Sequence, residues 1–443
     1  MIEKIVKRDG RVVPFDPEKI TMAILQAAIA VGGHDRSMAG EVTANVLELM
    51  EGRDYRDQYP TVEEVQDLVE QSLIKRGHDR TAKAYIIYRY EHSLKRAGEK
   101  SLTYSSDNIP YRKLWQALAW GLDHGYTSTK DINTFIETNR FTDLIGMCES
   151  FYATEVDNAV SIILDRIQDI KIIIISGPSS SGKTTTTIKV GEALKSRGYS
   201  LVALNVDNYY FDLADQPRDS YGDYDYETPQ AIDLALINTH LKTLLKGEEA
   251  AIPFYNFKTG NREGISEKMR IGEKDIILID SLHGMFDDMT EGIPDERKFK
   301  LYIETLAQIK GHDGRFLRWT DMRMLRRMIR DMQFRNYNPE QTLTHWHYVR
   351  RSELRYIVSR LTTADVIVNS AMAYELPIMK HRLGSLFPGF IEKYSRDPDR
   401  QDACERAIRV HELFKNLTPW TDESVVPPTS LVREFIGGST YTY

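Results

Sequence analysis

The chain has 443 residues, of which 41% are hydrophobic and 28% charged, a length that exceeds one ordinary core and predicts several domains. Its two cysteines, Cys148 and Cys404, exclude a disulfide framework or a four-thiolate zinc site within one chain. A net charge of −7 and a pI near 5.9 argue against a protein built to hold a polyanionic duplex, and no run approaches the roughly 20 apolar residues of a membrane span, so neither a nucleic-acid nor a membrane partner is expected.

Met1 to Val6 lacks the apolar core and small-residue cleavage site of a signal peptide, and a cytoplasmic location is expected. Ile5-Val6-Lys7-Arg8 and Arg11-Val12-Val13 flank Asp9-Gly10, which predicts two short strands joined by a tight turn. Asp16-Pro17 opens a helix with proline at its start, and Thr61-Val62-Glu63-Glu64 supplies a capping box for another. Residues 1–95 therefore read as a small α+β domain. Residues 96–165 place Trp115, Trp120, Phe135, Phe141 and Phe151 at loosely helical spacing, with no phosphate loop or metal-ligand cluster, and read as a helical connector.

From residue 171 the pattern changes. Ile172–Ile175 is a short continuous apolar run, as expected of a parallel strand covered on both faces. Similar runs recur at Leu201–Val206, Ile276–Ile279, around Lys300–Ile303 and at Val366–Val368, with helical segments between them. That alternation predicts an α/β fold for 166–443, a parallel sheet flanked by helices.

Gly177-Pro178-Ser179-Ser180-Ser181-Gly182-Lys183-Thr184 fits the phosphate-loop pattern in full, directly after one of these strands and before a helical run. Glycines let successive amides curl toward phosphate oxygens, and the helix N-terminus adds about half a positive charge. Gly177, Ser179, Ser180, Ser181, Gly182, Lys183, Thr184 and Thr185 are the candidate nucleotide contacts; Lys183 suits the β- and γ-phosphates and Thr184 a Mg²⁺ ion. Asp207 follows the second strand, where a carboxylate can accept a hydroxyl proton, although an Asp there also caps helices. Asp280 ends the third apolar run, the place of the acid that holds the Mg²⁺ shell. His345-Trp346-His347 is not expected to bind metal, because residues two apart on a helix face different sides.

These residues resemble the uridine kinase and phosphoribulokinase group of P-loop kinases from about 171 onward. The resemblance is carried by the phosphate loop, Asp207-Asn208-Tyr209-Tyr210, Pro217-Arg218-Asp219 with Tyr224-Asp225-Tyr226-Glu227, Ile252-Pro253-Phe254-Tyr255-Asn256-Phe257, and the arginine-rich run from Asp321 to Asp331 with Arg335. It implies Asp207 as the base, Tyr209, Glu227 and Tyr255 near the acceptor, and Arg327, Arg330 and Arg335 closing over the phosphates. The chain departs from that group where a base-reading His would stand, carrying Thr259-Gly260 there, and has Asn256 for an Asp and Asp280-Ser281 for a Glu-Gly pair.

Val6-Lys7-Arg8-Asp9-Gly10-Arg11 with Pro14 to Ile20 is similar to the ATP-cone module of ribonucleotide reductases and their repressors. That likeness implies an allosteric ATP or dATP site built from Lys7, Arg8, Lys19, Thr61 and Arg89. The combined expectation is an ATP- and Mg²⁺-dependent kinase acting on a nucleoside or related sugar, sensing nucleotide through its first domain and assembling as a homo-oligomer. Two rivals stay open: a nucleotide-responsive regulator on a kinase fold, and a kinase for a non-nucleoside sugar phosphate.

Overall fold

The computed structural model describes residues 2–7, 11–33, 35–53, 55, 59–78, 80–82, 84–85, 109–217, 228–335 and 337–442. The chain divides into two compact units, Met1–Tyr104 with Pro388–Ile408, and Ser105–Phe387 with Arg409–Tyr443.

In the first unit β1 (Lys4–Val6) pairs antiparallel with β2 (Val12–Pro14), with Ile5 opposite Val13. The helices α1 (Glu18–Ala30), α2 (Arg36–Glu51) and α3 (Val62–Lys75) follow. Asp35 caps α2 by accepting from the amides of Ser37 and Met38, and the capping box at Thr61 and Glu64 starts α3 as its spacing predicts. Their inner faces bury Ile5, Ile24, Val42, Val46, Val69 and Leu73 in one core.

The second unit begins inside the expected connector, with α4 (Tyr111–His124), α5 (Thr129–Glu137) and α6 (Phe141–Asp165). β3 (Ile172–Ser176) leads into α7 (Lys183–Lys195), followed by β4 (Ser200–Ala203) and α8 (Leu234–Leu245). A hairpin of β5 (Ala250–Asn256) and β6 (Asn261–Met269) precedes β7 (Asp275–Asp280) and β8 (Lys298–Glu304). Then come α9 (Trp319–Phe334), α10 (Pro339–Ser352), β9 (Val366–Asn369) and α11 (Glu375–Leu383).

Five strands form one parallel sheet in the order β4-β7-β3-β8-β9, and all five apolar runs of the sequence supply them. Ile172, Ile173, Ile174 and Ile175 are fully buried, as a central parallel strand requires. The connector helices are part of this unit. The Tyr152 hydroxyl meets the Thr186 hydroxyl of α7 at 2.6 Å, and Glu155 accepts from the amide of Asn369 at the end of β9 while Lys113 pairs with it at 2.7 Å. No helix among the described residues is long and apolar enough to cross a membrane.

Candidate active site at the C-terminal edge of the sheet

β3 ends at Ser176, and the chain turns through 177–182 into α7. A Cβ on Gly177 would overlap the Ile303 carbonyl, so only glycine passes there. Ser180 (φ 59°) and Gly182 (φ 88°) both adopt the left-handed conformation, which curls the loop into an anion-binding concavity. Ser180 holds that conformation without the freedom of glycine, a local strain of the kind that clusters at functional sites. Lys183 begins the helix and its Nζ donates to the Gly177 carbonyl at 3.1 Å. Burial lowers the Lys183 pKa, while the carboxylates of Asp280 and Glu434 oppose that shift.

Asp280 ends β7 beside Ile175 and accepts from the Thr187 hydroxyl at 3.2 Å. Thr184 lies one turn before Thr187, on the same side of α7. Burial raises the Asp280 pKa, with Lys183 and Thr187 pulling it down. A carboxylate under that strain, beside a helix-borne hydroxyl, is a hard-oxygen pair suited to Mg²⁺. Among the described residues no group of three His, Cys, Asp or Glu side chains could hold a metal alone, so phosphate and water oxygens would complete the shell.

Asp207 sits in the turn after β4, where the Asn205 side chain accepts from its amide at 3.0 Å. The residue is exposed, yet the protein packed around its carboxyl raises its pKa; the Asp280 carboxylate raises it further and Lys183 lowers it. Base candidate, metal candidate and phosphate-loop lysine thus share one electrostatic field.

Of the three expected arginines, α9 brings Arg327 to the loop, while Arg330 and, just past the helix end, Arg335 gather with it on Asp331. Arg327 donates to the Ser179 hydroxyl at 3.3 Å, and Arg327, Arg330 and Arg335 all lie against Asp331, at 3.2, 2.8 and 3.6 Å. One carboxylate cannot balance three guanidiniums, and the excess positive charge favours a bound anion. Burial lowers the Arg330 pKa.

Further residues reach the loop that the sequence reading did not single out. Fully buried Arg323 and Arg326 donate to the carbonyls of Ser179 and Ser180, and Ser370 donates to that of Ser181. Glu353, in the irregular turn after α10, accepts from the Ser179 amide at 3.0 Å. From the C-terminal segment Glu434 accepts from the amide and hydroxyl of Thr185 at 3.1 and 2.9 Å, and Leu431 covers Gly182. Arg323 and Arg326 fall with Arg327 and Arg330 at positions i, i+3, i+4 and i+7, a helical spacing that could have found them; Glu353, Ser370 and Glu434 carry no local signal.

On the acceptor side the expected tyrosines separate. Tyr209 is fully buried with its hydroxyl on His240, so its ring belongs to the core, whereas its neighbour Tyr210 faces Tyr255 and Phe257. Tyr255 accepts a hydrogen bond from Gln216 at 3.0 Å, and Arg262 fixes the 209–211 backbone through the carbonyls of Tyr209 and Tyr210. Gly260 turns the hairpin at φ 72° against Leu213, so a side chain at that position would be both strained and crowded. Glu227 lies outside the described residues.

In the first unit Lys19 is exposed 4.0 Å from Asp16, and the Thr61 side chain is engaged in its own helix cap. Lys7 lies just past β1, its amide bonded to the Arg11 carbonyl; Arg8 and Arg89 lie outside the described residues. The Val6 amide donates to the Pro60 carbonyl and Val6 bridges Thr61, which sets the end of β1, and Lys7 after it, beside the start of α3.

Residues 172–376, which carry the loop, Asp207, Asp280 and α9, match the phosphoribulokinase / uridine kinase family model. A uridine kinase from Deinococcus deserti is 30% identical over 198 residues, covering 44% of this chain and 86% of that protein. The chain belongs to the phosphoribulokinase / uridine kinase family. A uridine-cytidine kinase B from Dictyostelium discoideum (27% identical, 44% of this chain and 73% of that protein) and a uridine kinase from Bacillus pumilus (29%, 44% and 85%) are also similar over the kinase half. Residues 3–94 match the ATP cone domain, which accounts for the hairpin and helices of the first unit.

Proposed function

We propose that the chain transfers the γ-phosphoryl group of ATP to a hydroxyl of a nucleoside or related sugar. The observation that carries this is the phosphate loop itself, curled through left-handed Ser180 and Gly182, with Lys183 folded back on the Gly177 carbonyl and Asp280 of the neighbouring strand bonded to Thr187 of α7. The loop amides and Lys183 hold the phosphate tail, and the Arg327, Arg330 and Arg335 cluster offsets negative charge as the phosphoryl group moves. Asp207 takes the proton of the attacking hydroxyl. Mg²⁺, held by Thr184 and Asp280, would neutralise phosphate charge. The names of the similar proteins support a nucleoside acceptor, and Tyr210 and the exposed Phe257, packed against buried Tyr255, offer a wall on which a base or sugar can pack. Gly260 in place of an imidazole supports an acceptor read by something other than that contact.

On the same reading residues 1–95 form a cone that binds ATP or dATP and biases the kinase, the assembly is a homo-oligomer, and the protein works in the cytoplasm. One observation favours a rival, a regulator that binds nucleotide without efficient transfer: Glu434 already takes the Thr185 donors. Incubation with ATP, Mg²⁺ and a panel of nucleosides and sugar phosphates separates the two. Product that disappears in Asp207→Asn supports the kinase; nucleotide binding with no product from any acceptor overturns it.

A further inference from the structure

A trans peptide sets the carbonyl of one residue opposite the amide of the next, so fixing a carbonyl outward aims the following N–H inward. In the phosphate loop three consecutive carbonyls are held from outside. Arg323 Nη1 donates to Ser179 O at 3.0 Å, Arg326 Nη1 to Ser180 O at 3.4 Å, and Ser370 Oγ to Ser181 O at 2.5 Å. These donors are themselves fixed. Arg323 makes a two-pronged contact with Glu353 at 2.5 and 2.9 Å and an ion pair with Glu304 at 2.8 Å. Arg326 makes the same fork with Glu375 at 2.8 and 2.7 Å, and also donates to the Ser370 hydroxyl and carbonyl. Both arginines and Ser370 are 0% exposed, which keeps them from touching a ligand.

We propose that Arg323, Arg326 and Ser370 are positioning residues for the phosphate site, holding the loop by its carbonyls so that the amides of Ser180 and Gly182 face the bound phosphate. The resemblance of α9 to an arginine-rich lid merges two groups. Arg327, on the Ser179 hydroxyl, and its neighbours Arg330 and Arg335, gathered on Asp331, keep part of their surface exposed, whereas Arg323 and Arg326 are fully buried and work from behind the loop. Burying two guanidiniums is costly unless each is matched, and Glu353, Glu304 and Glu375 supply that match, with Glu353 also taking the Ser179 amide. The serine completes a relay, accepting from Arg326 and donating to Ser181, so a side chain at the end of β9 fixes the peptide that presents the Gly182 amide.

The inference rests on the reading of this loop as a polyphosphate site, and Ser370→Ala tests it with little risk to the fold because the Arg326–Glu375 fork stays intact. Tripolyphosphate binding is measured by calorimetry, the Gly182 amide is followed by ¹⁵N-glycine labelling, and thermal melting of the free protein controls for stability. The expected result is a dissociation constant raised about tenfold and a displaced Gly182 amide signal, with melting unchanged within about 2 °C. Unchanged affinity in the variant, or a loss of affinity matched by a fall in melting temperature, overturns the positioning role. If the wild-type chain itself binds no tripolyphosphate, the phosphate-site reading fails and the inference falls with it.

Discussion

A carboxylate that draws a proton from an alcohol works only while ionised, and the pKa of Asp207 is raised by surrounding protein and by Asp280. The sign follows directly: as pH falls through that raised value the base becomes protonated and the rate drops, so the acid limb of kcat should lie above the ordinary range of an aspartate. Magnesium at Asp280 would cancel the second cause and leave the first. Asp207→Asn should lose about 10²- to 10⁴-fold in kcat and its acid limb together, with nucleotide affinity little changed. A pH profile that keeps the limb in the variant would assign it to another group. Glu434 makes a separate test at the same scale. Its carboxylate, whose pKa is raised by burial, holds the Thr185 amide and hydroxyl in the first turn of α7, donors that suit a phosphate equally well. Glu434→Ala should therefore tighten binding of a fluorescent ATP analogue several-fold; unchanged binding would mean that Glu434 lies clear of the phosphate path, and weaker binding that it supports the site.

Elements were legible in proportion to how local their causes are. Five apolar runs, a phosphate-loop pattern and the Thr61–Glu64 box each carry their instruction within a few residues, and all five runs became strands of the sheet. The β5–β6 hairpin was less legible because β5 is mostly buried, β6 almost wholly exposed, and Pro253 breaks their register, so neither strand shows the alternation that marks a half-buried strand. Tyr209 and Tyr210 show a further limit: adjacent aromatics in a short turn differ only in direction, and His240, 31 residues away, decides which is buried. Gly260 ties this hairpin to function. Its left-handed backbone and the Leu213 side chain leave no room for an imidazole, so Gly260→His should cost about 1–3 kcal/mol in urea unfolding and gain no uridine phosphorylation. A stable variant that gains uridine turnover would show that the turn can present a base-reading side chain after all.

At the scale of the whole chain, an ATP cone and a phosphate loop on one polypeptide make two nucleotide sites the expectation, and two sites on one molecule obey linkage. If dATP or ATP on the cone changes affinity at the loop by some factor, nucleotide on the loop must change cone affinity by the same factor, whatever path carries the coupling. Lys183→Ala separates the two, because it removes the ammonium of the loop and leaves the cone residues untouched. The wild-type chain should bind two equivalents of ATP and the variant one. Adding a loop-directed ligand such as tripolyphosphate should then shift the remaining dATP affinity in wild type but not in the variant. One equivalent in wild type would remove the second site; two equivalents with no reciprocal shift would leave two independent sites, and the cone would bind nucleotide without governing the kinase.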